Sequence, residues 1–134
     1  MKIKTSDLTG KVLDWAVALS LGAEICSKGR FLELPSGHFV DKKSRYYSFK
    51  PSSDWSICVQ LIDKYLDSLT RMCIDSPWIA SCKAVTVNDF SIWKVQEGQT
   101  PQIAICRAVV SSKLGDEVDI PDELVERAND NGQK

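Results

Sequence analysis

Apolar residues in this chain recur at helical spacing in three stretches and as short runs between them. Leu8, Val12, Trp15, Ala16 and Leu19 fall on one face of a helix over residues 6–21, which Thr5 or Ser6 can cap and Gly22 stops. Glu24-Ile25-Cys26 and Phe31-Leu32-Glu33-Leu34 flank Ser27-Lys28-Gly29 as a hairpin. Pro35-Ser36-Gly37 then turns the chain into a third short strand, His38-Phe39-Val40. Pro51-Ser52-Ser53 opens a second helix, in which Trp55, Cys58, Val59, Ile62, Tyr65, Leu66 and Leu69 repeat every three or four residues. A strand at Arg71–Ile74, a turn at Asp75-Ser76-Pro77 and a hairpin of Trp78–Val85 with Phe90–Val95 about Asn88-Asp89 come next. Thr100 as cap and Pro101 in the first turn start a third helix, which runs to Leu114 and stops at Gly115. It is apolar nearly all round, so it is expected to be the most buried.

This order predicts an α+β fold, an α-β-α layered sandwich. In it, three main helices cover both faces of one five- to six-stranded, mostly antiparallel sheet. A chain of 134 residues with 43% hydrophobic residues suits a single domain over 1–121. An acidic, partly disordered tail follows over 122–134, with one short helix after Pro121. No internal repeat aligns. Asp7, Lys11 and Asp14 interrupt the place where a secretory leader would need an apolar core, and no run approaches the ~20 apolar residues of a membrane span. Five widely spaced cysteines fit reduced thiols in a cytoplasm, acting as small core hydrophobes. The lone His38 reads as a loop histidine; a Cys–His nucleophile pair stays open, and neither a structural zinc site nor a cofactor is expected.

A formal net charge of −1 excludes a protein that coats nucleic acid through bulk charge. The average conceals a gradient, with +4 over residues 1–50, zero over 51–114 and −5 over 115–134. Residues 42–50 gather Lys42, Lys43, Arg45 and Lys50 with Tyr46, Tyr47 and Phe49, without an acid.

The candidate chemistry follows from that placement. Ser52-Ser53-Asp54, ahead of Trp55, and Gln99-Thr100-Pro101 are polar helix starts whose N–H groups attract anions. If the two converge, they form half of a phosphate site. Lys42, Lys43, Arg45 and Lys50 then add charge and Tyr46, Tyr47 or Phe49 a stacking face, whereas the plainer alternative is that Ser53 and Thr100 only cap and Trp55 is core. Arg107, on the most apolar helix, requires a partner, either a carboxylate such as Asp54 or Asp14 or an anionic ligand. The acidic block 116–123 reads as a solvated tail or as a mimic of nucleic acid, and its spacing is not that of a calcium loop. No nucleotide-binding or hydrolase fingerprint occurs, and Asp63 with Asp67 reads as an exposed helix face.

Five blocks, Leu8-Thr9-Gly10, Leu13-Asp14-Trp15-Ala16-Val17-Ala18, Pro51-Ser52-Ser53-Asp54-Trp55, Thr100-Pro101-Gln102-Ile103-Ala104 with Arg107, and Ser112–Pro121, resemble in order and spacing the NinX-like proteins of lambdoid phages and prophages. The plan is also similar to phage ABA sandwich domains. Where that family carries a Gly-Gly pair after the Asp-Trp, this chain has Ser56-Ile57. The resemblance implies a phage or prophage origin and a fold, and with that origin the cytoplasm expected from the cysteines is that of a host bacterial cell; it carries no activity with it. The expectation is therefore a non-catalytic phage accessory protein that binds a small anionic, nucleotide-like ligand or host signal and counteracts host defence. The alternative is a module that modulates a host or phage enzyme through residues 42–50 or the acidic tail, and exposed tryptophans would favour a homodimer.

Overall fold

The computed structural model describes residues 1–87 and 90–125. Along the chain lie β1 (Lys2–Lys4), a 3-10 turn (Thr5–Asp7), α1 (Gly10–Ser20), β2 (Glu24–Cys26), β3 (Phe31–Glu33) and β4 (Phe39–Asp41). These are followed by α2 (Trp55–Tyr65), β5 (Leu66–Arg71), β6 (Trp78–Val87), β7 (Phe90–Gly98), α3 (Pro101–Leu114) and β8 (Glu117–Asp119). A helical turn begins at 122–125 after Pro121, as expected. The anticipated reversal at Asn88-Asp89 and the tail beyond residue 125 lie outside the described residues.

The α+β class holds, but one broad sheet does not form. Three antiparallel sheets take its place, with strand orders β1-β8, β2-β3-β4 and β5-β6-β7. Six of the eight strands' neighbours are set by short local turns, and the three-residue strands β2, β3 and β4 are too short to extend a larger sheet. The helices also gather on one side of β5-β6-β7 instead of covering both faces. Helix α3 packs on these strands with one side and against α1 and α2 with the other, while α1 separates it from β3 and β4. This central position explains its uniform apolarity: Ala104, Ile105, Cys106, Ala108, Val109 and Val110 are all fully buried. On the other face of the sheet, Trp93 and Val95 stay about half exposed.

Chain direction follows from named contacts. Gly98 presses on the first turn of α3, where a Cβ would come 2.5 Å from the Ala104 nitrogen. The Lys94 ammonium reaches Asp116, just past the far end of α3, at 3.5 Å. Helix α3 therefore runs antiparallel to β7. The Cys58 thiol meets Cys106, and the Lys113 ammonium lies 5.1 Å from the Tyr65 ring, so α2 lies alongside α3 and parallel to it.

Three boundaries differ from the periodicity. Helix α2 ends at Tyr65, and Leu66 and Leu69 belong to β5, which carries a register shift between Leu66 and Ser68. The strand expected at Arg71–Ile74 instead ends at Arg71, and the residues after it form the connection to β6. Helix α1 starts at Gly10 behind the separate 3-10 turn, so Thr9, and not Thr5 or Ser6, precedes it.

The ends of the charge gradient meet. Lys2 faces Asp119, Ile3 faces Val118 and Lys4 faces Glu117 across the β1-β8 pair. The acidic stretch is thus built into the fold, with Val118, Ile120, Leu124 and Val125 in the core. Of the cysteines, Cys58, Cys82 and Cys106 are buried as expected, but Cys26 is half-buried and Cys73 exposed.

Candidate functional site

Because α2 and α3 are parallel neighbours, their N-termini open at the same end of the molecule. The residues expected to serve an anion there are placed as follows. The Asp54 carboxylate caps α2, accepting from the Ser56 N–H at 3.0 Å and the Ser56 hydroxyl at 2.7 Å. These bonds hold its carboxyl below the usual range. The Thr100 hydroxyl accepts from the Ile103 N–H at 3.2 Å at the start of α3. The Ser52 N–H donates to Asp14 at 2.9 Å, and the Ser53 N–H returns to the Lys50 carbonyl. Carboxylates of the protein itself therefore occupy donors at the start of α2.

Asp14 organises this region. It lies on α1 with 1% of its surface exposed, and Tyr47 donates its phenol hydrogen to the second carboxylate oxygen at 2.8 Å. Burial pushes its pKa up to about 6, although the Ser52 and Tyr47 bonds and the charge of Lys50 oppose the shift. The same burial, with the neighbouring Asp14 charge, drives the Tyr47 phenol far above its ordinary value. Above the Tyr47 ring stand two ammonium groups, Lys50 at 5.4 Å and Lys11 at 5.5 Å from its centroid. Lys11 also donates to the Ser44 carbonyl at 2.7 Å, tying α1 to the loop. Arg45 and Tyr46 project from that loop, and Tyr46 is 84% exposed.

Three residues depart from expectation. Trp55 is not core but 47% exposed, since α2 turns Ile57, Cys58 and Leu61 inward and leaves position 55 on the outer face. Phe49 is buried and offers no stacking face. Arg107 has neither a carboxylate nor an open site as its main partner: its guanidinium donates to the carbonyls of Leu8 at 2.9 Å and Glu97 at 2.8 Å. It braces the start of α1 against the end of β7, two turns into α3 from Thr100, and does not join Ser53. Burial lowers its pKa, with Asp7 acting in the opposite sense.

Periodicity missed Asp14 and Lys11. The signal for Asp14 was its position inside the unbroken apolar run Val12, Leu13, Trp15, Ala16, where an acid is enclosed from both sides of the helix. Among the described residues no group of three or more His, Cys, Asp or Glu side chains is placed to hold a metal ion. No described helix is long and apolar enough to cross a membrane.

A search of curated proteins finds no match to the chain. The family described as Bacteriophage P22, NinX, matches residues 4–113, which spans α1 to α3 and every candidate residue above. On that coverage the chain belongs to the NinX family of phage proteins.

Proposed function

We propose that this NinX-family protein acts by binding an anionic, nucleotide-like ligand at the loop that precedes α2. The observation that carries this reading is the pair of lysine ammoniums over the single Tyr47 ring, with Arg45 on the same loop. Two cations gathered at one aromatic ring supply the charge that a nucleotide's phosphates need. The occupied donors at the start of α2 move the site from the helix termini to the loop, so Lys50, Arg45 and Tyr47 carry it more than Ser52, Ser53, Asp54, Trp55 or Thr100. Arg107 serves the fold. The test is a melting-temperature series with mono-, di- and cyclic nucleotides. A ligand at a hundred times its Kd adds about 2.7 kcal/mol, which raises Tm by several degrees. The rise should shrink in Lys50→Gln and Arg45→Gln, and no shift at millimolar concentration of any nucleotide refutes the reading.

A second reading, a protein-docking module, is favoured by the tip between β5 and β6. Met72 is 85% and Ile74 82% exposed there. The tip is held in shape by Arg71, which lies 4.4 Å from the Trp78 ring centroid and donates to the Ile74 carbonyl at 3.1 Å. Large apolar side chains on an ordered projection are the usual anchors of protein contacts. Pull-down from host lysate should lose its capture with Met72→Ser and Ile74→Ser together; capture that survives the double substitution removes this reading.

A further inference from the structure

We infer that the surface formed by Lys11, Arg45, Tyr46 and Lys50 takes a single-stranded nucleic acid, with phosphates on the three cations and a base on the Tyr46 ring. The inference rests on the proposed anion site and extends it from one phosphate group to a strand. Lys11 comes from α1 and Lys50 from the loop ahead of α2, and the two meet at the Tyr47 ring, while Arg45 stands exposed on the same loop. Between Glu33 and Asp54 the chain carries one carboxylate, Asp41, and it is buried against Arg30 at 3.2 Å. The loop thus carries an excess of positive charge although the protein as a whole is near neutral, and the carboxylates that face it from other elements are Asp14, bonded to Tyr47, Asp54 beside Lys50, and Glu123, 3.7 Å from Lys42.

The ligand's form follows from exposure. Arg45 and Tyr46 lie on open surface, where a strand buries more area than a single nucleotide and each further phosphate adds to affinity. An exposed tyrosine ring on a loop that carries cations suits an unpaired base, which stacks irrespective of sequence; in a duplex the base faces are already covered. An acidic peptide would use the cations and gain nothing from the ring.

The experiment is fluorescence anisotropy of a labelled oligothymidylate of about twelve nucleotides, a length within single-strand site sizes. Binding is expected, with log K falling against log salt at a slope of about −2 for three phosphates on a single strand. Arg45→Gln should flatten that slope by about 0.7. Tyr46→Ala should weaken binding about fivefold or more, the loss of one stacked base. Both substitutions are at exposed positions, so folding is preserved. Absence of binding at low salt overturns the inference, as does Tyr46→Ala binding like the parent or displacement by polyglutamate at equal charge. A nucleotide-induced Tm shift without oligonucleotide binding overturns the strand and leaves the nucleotide reading standing; loss of both removes both.

Discussion

Asp14→Asn tests whether the buried carboxylate governs the pH dependence of folding. In the folded protein its pKa is raised from 3.8 to about 6. Ionisation is then easier in the unfolded chain than in the folded one. Below about pH 3 both states hold the proton and the group is neutral in its effect. As pH rises, the unfolded chain releases its proton first, and the fold loses stability until the native carboxyl also ionises above pH 6. A shift of about two units, at 1.36 kcal/mol each, makes this loss about 3 kcal/mol. Asparagine preserves the shape, with its oxygen accepting from the Ser52 N–H and its amide donating to the Tyr47 oxygen, but it does not titrate. Urea unfolding at pH steps from 3 to 8 should show the difference, variant minus parent, climb by about 3 kcal/mol between pH 3 and 7 and then level off. Other titrating groups cancel in that difference, as does any constant cost of the amide. A difference that is flat with pH, or that falls, refutes the burial of an ionisable group at this position.

Three further outcomes follow from packing. Gly98→Ala should destabilise by about 1–3 kcal/mol in chemical denaturation, because the new methyl meets the Ala104 backbone and cannot be relieved by a side-chain rotation. Arg107→Met should cost about 1.5–3 kcal/mol, the range for hydrogen bonds to a charged group, while leaving any nucleotide-induced Tm shift intact; a selective loss of that shift would return Arg107 to the ligand site. Ser27 and Lys28 both have positive φ, 50° and 57°, in the turn between β2 and β3. Lys28→Gly should therefore stabilise by up to about 1 kcal/mol, read as a rise in Tm, and a fall in Tm would refute strain at this turn.

How far the sequence could be read depended on the length of each pattern. Helix α3 was legible at both ends because Thr100, Pro101 and Gly115 each have a distinct backbone role, and the hairpin of β2 and β3 because its turn separates two apolar runs. The end of α2 was not legible, since the register shift at the start of β5 places Leu66 and Leu69 at a helical interval. Strands β1 and β8 each contain one apolar residue between two charges, Lys-Ile-Lys and Glu-Val-Asp, too little for any periodicity. Only the opposite charge of the two chain ends hinted that they pair. Composition points to the cations of residues 42–50 but not to Lys11, which reaches the same ring from a helix more than thirty residues away. Cap residues were recognised as donors without it being evident that Asp14 and Asp54 would occupy them.

The β1-β8 seam also sets an order of events during synthesis. Its partners stand more than a hundred residues apart, and Thr5 reaches across the same gap to the carbonyls of Gly115 and Asp116. At bacterial elongation rates of up to about 20 residues per second, β1 waits on the order of several seconds before β8 leaves the ribosome. Helices α1 to α3 and both hairpins can assemble in that interval from contacts much nearer in sequence, and β1 then docks as the closing step. Until it does, Ile3, Val118 and the end of α3 lack their cover, so a nascent chain stalled after Leu114 should be more open to proteolysis than the released protein.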